Sequence, residues 1–531
     1  MSYTQPVWPM NATAPTAADL AQPFGSYNDI LSRWAGAQPD KIALRDDAGE
    51  LTWRAFADRI ERIAARLAAD GLERGQSVAI LGSSSAAYAL VFLATVRAGG
   101  VAAPLTTSAS AEQLAGMAAD SGARHIFIDR AKVADLGDDC FPGMTRILLD
   151  EELDDWMAAP GTPAPAFDPA PSDPFNIIYS SGTTGIPKGI VHSHQMRWRQ
   201  FAYTAASLLD AGGDIVSLAS TPLYSNTTMV AFLAPLLAGG SVRIMGKFDT
   251  VRWLDHAARD RTTITMLVPV QYQRLMDEPR FGEFDLSALR LKYCTSAPFS
   301  AELKREVLAR MPGALVEIYS MTEGGVVCLL AAHDFPDKLH TVGRPAPGSE
   351  LKVLDDADRE VPPGTPGNLV GRSQTMMAGY KNQPGKTAEG YWTDPATGET
   401  WQRMGDIGRV DADGFVELVG RAKDMIISGG FNIYPVDLEN ELLKEAAVVE
   451  AAVIGMPSRQ WGETPVGFVV LRDGGDPDSV RDAVNARLGK TQRLSALHAI
   501  ADMPRSHIGK LLKTELRNEA ERRSGATSDL G

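Results

Sequence analysis

The chain is poor in cysteine, has no positive charge excess and contains no long apolar run. Cys140, Cys294 and Cys328 are three in 531 residues and lie far apart. That excludes a disulfide framework and a cysteine-built zinc site, and it fits a reducing compartment. The formal net charge of −14 argues against a general nucleic-acid binder but leaves room for a local basic pocket, because net charge says nothing about one cleft. No window offers the ~18 consecutive apolar residues of a membrane span. Residues 1–23 are polar and rich in Pro and Ala, without the basic-then-apolar order of a secretory signal. The last four residues are not a peroxisomal address, so a cytoplasmic location is expected. Nothing repeats at a fixed period, which argues against a solenoid. A homo-oligomer stays open.

What is present is ordinary globular composition, 44% hydrophobic and 22% charged, in a chain long enough to need at least two domains. Phe56, Ile60, Ile63 and Leu67 recur at helical spacing and predict an amphipathic helix over 51–67. Strands are predicted at 77–81, 124–128, 215–219, 241–245 and 263–268, with a helix over 86–97. This alternation, running to about residue 320, predicts α/β layers around largely parallel sheets. Residues 158–174 read as a Pro/Ala-rich surface connection. Beyond about 340, short strands at 351–354, 368–370 and 415–418 separated by Gly, Pro and Asp turns predict a β-rich subdomain. Helices at 436–444 and 478–488 and strands at 450–454 and 466–471 predict a compact α+β unit at the end.

The most informative segment is Tyr179-Ser-Ser-Gly-Thr-Thr-Gly-Ile-Pro-Lys-Gly189, directly after an apolar run. Glycines let the backbone approach a polyphosphate, hydroxyls donate to it, and Lys188 adds a mobile charge. The glycine spacing is not that of a Walker A loop. Alone, such a segment is more often a flexible turn. Four further segments accompany it. Tyr319-Ser-Met-Thr-Glu323 sets an aromatic ring, a hydroxyl and a carboxylate at a strand end. Met404-Gly-Asp-Ile-Gly408 offers a carboxylate between glycines, although alone it reads as a Gly-Asp turn. Residues 420–430 run from charged to apolar to glycine-rich, suiting a hinge, a strand and a tight loop. Pro504-Arg-Ser-His-Ile-Gly-Lys510 puts a lysine on a glycine-containing turn.

Together these segments resemble the adenylate-forming superfamily of acyl-CoA synthetases, luciferases and peptide-synthetase adenylation domains, with the motifs in order from about residue 51 to 517. The resemblance implies a large α/β N-terminal domain (1–422) and a small mobile α+β lid (423–531). It implies that Ser180, Ser181, Gly182, Thr183, Thr184, Gly185 and Lys188 handle the ATP phosphates. Tyr319 would lie against adenine, Thr322 near the α-phosphate, and Asp406 and Arg421 on the ribose. Glu323 would ligate Mg²⁺, Lys423 would be the hinge, and Lys510 the adenylation lysine. The acyl pocket would draw on Tyr224, Ser225, Asn226, Ser296, Ala297, Ser320 and Gly325. Ser428, Gly429, Gly430 and Trp461 would line a channel for coenzyme A. The implied partners are a small carboxylic acid and coenzyme A. Transfer to a separate acyl-carrier protein and luciferase-like oxidation stand as alternatives.

Ser320, Ser225 and the run Cys294-Thr-Ser-Ala-Pro298 depart from the residues usual at these positions, which leaves the acid open. The pocket stretches 224–229, 296–299 and 320–326 are mostly apolar or small, with Glu323 their one charge. They predict a neutral aliphatic, alicyclic or aromatic tail on a short- to medium-sized acid. His192 and His194 form a His-x-His pair with no third ligand nearby, short of the four that structural zinc needs; the resemblance puts His194 at the start of the helix after the phosphate loop.

Overall fold

A computed structural model describes residues 12–137, 139–180, 188–428, 431–458, 460–489, 492–506 and 509–528. Among these residues the strands gather into four sheets. The first is seven-stranded. Its parallel body runs Pro174–Ser180, Val101–Pro104, Ser77–Leu81, His125–Ile128, Thr145–Leu148, and antiparallel Lys188–Ser193 and Gly379–Tyr380 continue it at one edge. The second has nine strands. Six parallel ones run from Ala314–Met321 through Leu291–Cys294, Ile264–Leu267, Val216–Ala219 and Ser241–Ile244 to Ile42–Arg45, flanked by antiparallel edge strands.

Helices Trp53–Ala69, Ala86–Arg97, His194–Asp210 and Met229–Leu237 fill the space between these two sheets. Each of the first three begins at a hydroxyl cap: Thr52, Ser85 and Ser193 accept from Ala55, Tyr88 and Met196 N–H. The largest core cluster takes Val78, Ile80 and Phe175 from one sheet and Leu44, Val242 and Met266 from the other. Phe92 of the second helix is buried between Phe175 and Phe232 at ring distances of 6.0 and 6.3 Å. That helix is apolar all round because it is buried on all sides.

The third sheet is antiparallel, formed by Ser349–Leu354, Gly367–Ser373, Thr400–Val410, Tyr391–Thr393 and Val416–Arg421. The fourth combines Phe431–Ile433, Ile426–Ser428, Gly462–Leu471 and Val448–Ser458 with Ala496–Ala499, and packs helices Pro435–Leu443 and Pro477–Arg487 around its own core. The expected α/β body, β-rich region and terminal α+β unit are therefore present. One local reading changes. Gly405–Gly408 is not a turn but part of the long strand Thr400–Val410, because residues 416–421 pair with its second half from Asp406 to Val410.

A buried ion pair ties the second sheet to its neighbours. Lys304, on helix Ala301–Arg310, meets Glu317 on strand Ala314–Met321 at 2.5 Å. Its ammonium also donates to the Leu339 and Thr341 carbonyls.

Candidate active site

The parallel strands of both sheets end on one side, where their following loops border a cleft of ≈3410 Å³, as carboxyl ends of strands do in α/β folds. Ser180 and Lys188 reach it from the first sheet, Tyr224 to Asn226 and Ser296 to Ala297 from the second, and Ser320 to Glu323 from the end of strand Ala314–Met321 and the turn after it. That turn is tight. Gly324 sits at φ +94°, and a Cβ there would stand 2.1 Å from the Thr375 carbonyl oxygen, so only glycine fits.

On one wall the Tyr319 hydroxyl donates to Asp406 Oδ2 at 2.7 Å while Arg421 Nε meets Asp406 Oδ1 at 2.9 Å. Asp406 and Arg421 are cross-strand partners, so register alone brings carboxylate and guanidinium together. Burial, then the Asp406 charge, pushes the Tyr319 phenol well above its ordinary value. Asp406→Ala removes the acceptor for both groups and is expected to lower unfolding free energy by ~1–3 kcal/mol, read from urea unfolding.

The Glu323 carboxylate accepts from Tyr380 at 2.8 Å through Oε1, and Lys188 Nζ stands 5.0 Å above the same Tyr380 ring. Tyr380 therefore links the lysine that ends the phosphate-type loop to Glu323. Glu323 belongs to no cluster of three potential metal-ligating side chains among the described residues. One open carboxylate oxygen still suits Mg²⁺, which takes one or two protein carboxylates and completes its shell with phosphates and water.

Lys510 and Lys423 also border the cleft, within electrostatic reach of Arg421 and Asp406. Lys510 sits on a turn in which Gly509 and Lys510 N–H both bond Ser506. Gly509 faces Val270 and Val268, where a Cβ would come within 2.7 Å of Val270 Cγ1. Desolvation, followed by the Arg421 and Lys423 cations, lowers the pKa of Lys510.

Ser181, Gly182, Thr183, Thr184, Gly185, Gly429 and Gly430 lie outside the described residues. Three other candidates do not border the cleft. Gly325 is buried against Met404, Ser428 is buried where its strand pairs with Gly462, and Trp461 is exposed. Sequence reasoning missed Tyr380, whose Gly-Tyr pair carried no signal of contact with Glu323. Thr227, inside the predicted stretch 224–229, meets the Ser296 hydroxyl with its own at 2.5 Å.

His192 is buried and bonded on both ring nitrogens. Arg197 Nη2 donates to its Nδ1 at 2.7 Å, so its Nε2 carries the hydrogen and donates to the Thr322 carbonyl at 2.8 Å. Burial, then the Arg197 charge, holds His192 neutral, well below its ordinary pKa. His194 begins helix His194–Asp210, as expected.

A cleft at the carboxyl ends of strands of two sheets, bordered also by Lys510 from beyond the last strand of the fourth sheet, is the arrangement of an α/β enzyme. The chain belongs to the AMP-binding enzyme family: residues 31–381 match the model of that family and residues 437–510 match that of the AMP-binding enzyme C-terminal domain. Among curated relatives, it is 33% identical over 92% of its length to a feruloyl-CoA synthase of Amycolatopsis sp, covering 99% of that protein. It is 31% identical over 94% of its length to an indoleacetate–CoA ligase of Aromatoleum aromaticum, covering 98% of it. Among solved structures, ATP-bound MatB from Rhodopseudomonas palustris superposes with a TM-score of 0.81 at 30% identity, over 95% of this chain and 99% of that one. No helix of the described residues is long and apolar enough to cross a membrane.

Proposed function

We propose that the protein is an AMP-forming carboxylic acid:coenzyme A ligase acting on a short- to medium-sized aliphatic, alicyclic or aromatic acid. The observation that carries this reading is the convergence on one cleft of the Tyr319–Asp406–Arg421 set, the Thr322–Glu323 turn and Lys510. The names of the two curated relatives given above, a feruloyl-CoA synthase and an indoleacetate–CoA ligase, support it.

A carboxylate is a poor acyl donor because oxide is a poor leaving group. In the first step a carboxylate oxygen of the acid bonds to the α-phosphorus of ATP as the bond to pyrophosphate breaks, giving acyl-AMP. In the second the coenzyme A thiolate bonds to the acyl carbon as the bond to AMP breaks, giving the thioester. Two anions must meet in the first step, so positive charge at the α-phosphate is the main requirement. Lys510, a compact point charge on a long stem, supplies it. Thr322 lies beside that phosphate, Asp406 and Arg421 hold the ribose, Tyr319 faces adenine, and Ser180 to Lys188 takes the outer phosphates. Glu323, which accepts from Tyr380 through one oxygen, would hold Mg²⁺, whose charge would offset that of the phosphates.

Once the adenylate exists Lys510 has no further use. We read 1–422 and 423–531 as two bodies that rotate about Lys423, exchanging the Lys510 face for the Ser428–Gly430 face and Trp461, along which the thiol would enter.

An acid panel with ATP, read as AMP release and as thioester on free coenzyme A against an acyl-carrier protein, tests the reading. Acid-dependent AMP with thioester on free coenzyme A is expected. Thioester on carrier protein alone, or activity confined to very long chains, would overturn it.

A further inference from the structure

A cation lies buried behind the acyl side of the cleft. Arg197, on helix His194–Asp210, has no exposed surface, and no carboxylate pairs with it among the described residues. Its guanidinium is bonded only to neutral groups. Nε donates to Asn176 Oδ1 at 2.8 Å, Nη2 to His192, and Nη1 to both Gln200 Oε1 at 2.8 Å and Asn226 Oδ1 at 2.7 Å. Burial lowers its pKa to about 9, which leaves it charged at neutral pH. An isolated buried charge costs several kcal/mol, and an apolar side chain of similar volume would avoid that cost.

The consequence lies in the two amides. A guanidinium can only donate, so the atoms facing it must be the carbonyl oxygens of Asn226 and Gln200. Both amides are thereby locked with their NH₂ groups turned away from Arg197. Asn226 and Gln200 both line the cleft, and neither NH₂ group donates to another described residue. Asn226 lies between Ser225 and Thr227, and Thr227 bonds Ser296 on the facing wall, so the donors belong to the acyl side. Two oriented amide donors backed by an unpaired cation form a receptor for an oxygen acceptor.

We infer that Asn226 and Gln200, held by Arg197, bind an oxygen acceptor at the end of the acid remote from its reacting carboxylate, and that an oxyanion there, carboxylate or sulfonate, gains most. This rests on the ligase reading above and narrows its substrate class. It also departs from the neutral tail that the three pocket stretches predict, because Arg197 and Gln200 lie on a helix outside those stretches. A site built to hydrogen-bond an oxygen rejects the analogue that lacks it far more strongly than an apolar slot rejects an extra methylene, since its donors are then left unpaired.

The test compares kcat/KM for acid-dependent AMP release between oxygen-terminated acids and their methyl-terminated counterparts at several lengths. Suitable pairs are succinate and butanoate, glutarate and pentanoate, adipate and hexanoate, and 4-carboxy- and 4-methylphenylacetate. At the best length the oxygen-terminated acid is expected to win by roughly 100-fold or more. Asn226→Asp and Gln200→Glu keep shape and an acceptor for Arg197 but replace a donor with a carboxylate oxygen, so the ratio should fall at least tenfold, to near or below one in the double variant. A wild-type preference for methyl-terminated acids at every length would overturn the inference, as would an oxygen preference unchanged in both variants. Failure of every acid to release AMP would overturn the ligase reading itself.

Discussion

Lys510→Ala is expected to slow adenylate formation by roughly 10²–10³-fold, the usual cost of losing one donor to a charged transition state, while thioester formation from supplied acyl-AMP largely survives. The asymmetry follows from the chemistry. Only the first step drives two anions together, and only there does a cation at the α-phosphate gain strength as the bond forms. In the structure Lys510 borders the cleft, on a turn that presses Gly509 against Val268 and Val270, while Ser428 and Trp461 stand away from it. Under the proposed function, that is the arrangement the first step needs. Acid-dependent pyrophosphate exchange reports that step, and consumption of synthetic acyl-AMP by coenzyme A reports the second. An equal fall in both would sink the proposal that the terminal body presents two different faces in turn. Lys510→Arg should rescue poorly, because a planar guanidinium cannot replace a point charge on a turn this close to the cleft wall.

The layered α/β body was legible because its elements carry simple periodicities. The strand at Ser77–Leu81 and the helix at Ala86–Arg97 fall where the apolar runs put them. Strands of the terminal unit extend further than their apolar cores suggest: residues 450–454 became Val448–Ser458 and 466–471 became Gly462–Leu471. Pairing with each other carried the two strands on through Pro457 and Gly462. Asp406 misled for a related reason: a glycine precedes it and another follows two residues on, which looks like a turn, yet the structure pairs it with Arg421 of a strand that holds Val416 and Leu418, so pairing and not local preference decided it.

The site was legible wherever a motif is local and illegible wherever a contact is made across sequence distance. Thr322, Glu323, Asp406 and Lys510 could be named from their segments, and the structure brings them to one cleft. Nothing near Tyr380 foretold that its hydroxyl would rest on Glu323, 57 residues away. His192 drew notice only as half of a His-x-His pair. Its partners, Arg197 and the Thr322 carbonyl, depend on how the strand Lys188–Ser193 and the following helix pack against a distant turn. Arg197 carries no motif in the sequence, and only the structure shows it buried.

The largest stability effect is expected at Lys304→Met, which strands Glu317 in the core. Both side chains are almost wholly buried, and removing one partner of a buried pair costs ~3–5 kcal/mol because the other charge is left without compensation. The cost should depend on pH in a defined direction. Burial raises the Glu317 pKa from 4.5 to about 7, with Lys304 opposing the rise. Between those two values the folded protein holds a proton that the unfolded chain has released, so wild-type stability falls as pH rises through that window and levels off above it. Without Lys304 the folded pKa climbs further and the fall continues past pH 7. The deficit of Lys304→Met, measured by urea unfolding, should therefore be greatest near pH 8.5 and at least halved at pH 5.5, where Glu317 is protonated. The residue left at pH 5.5 belongs to the Leu339 and Thr341 carbonyls, which lose the same ammonium donor and do not titrate. A deficit independent of pH would mean that packing, not the carboxylate, sets the cost. Lys304→Met combined with Glu317→Leu separates the two: with no charge left to strand, it should recover most of the loss at pH 8.5 and show almost no pH dependence between 5.5 and 8.5 from this site.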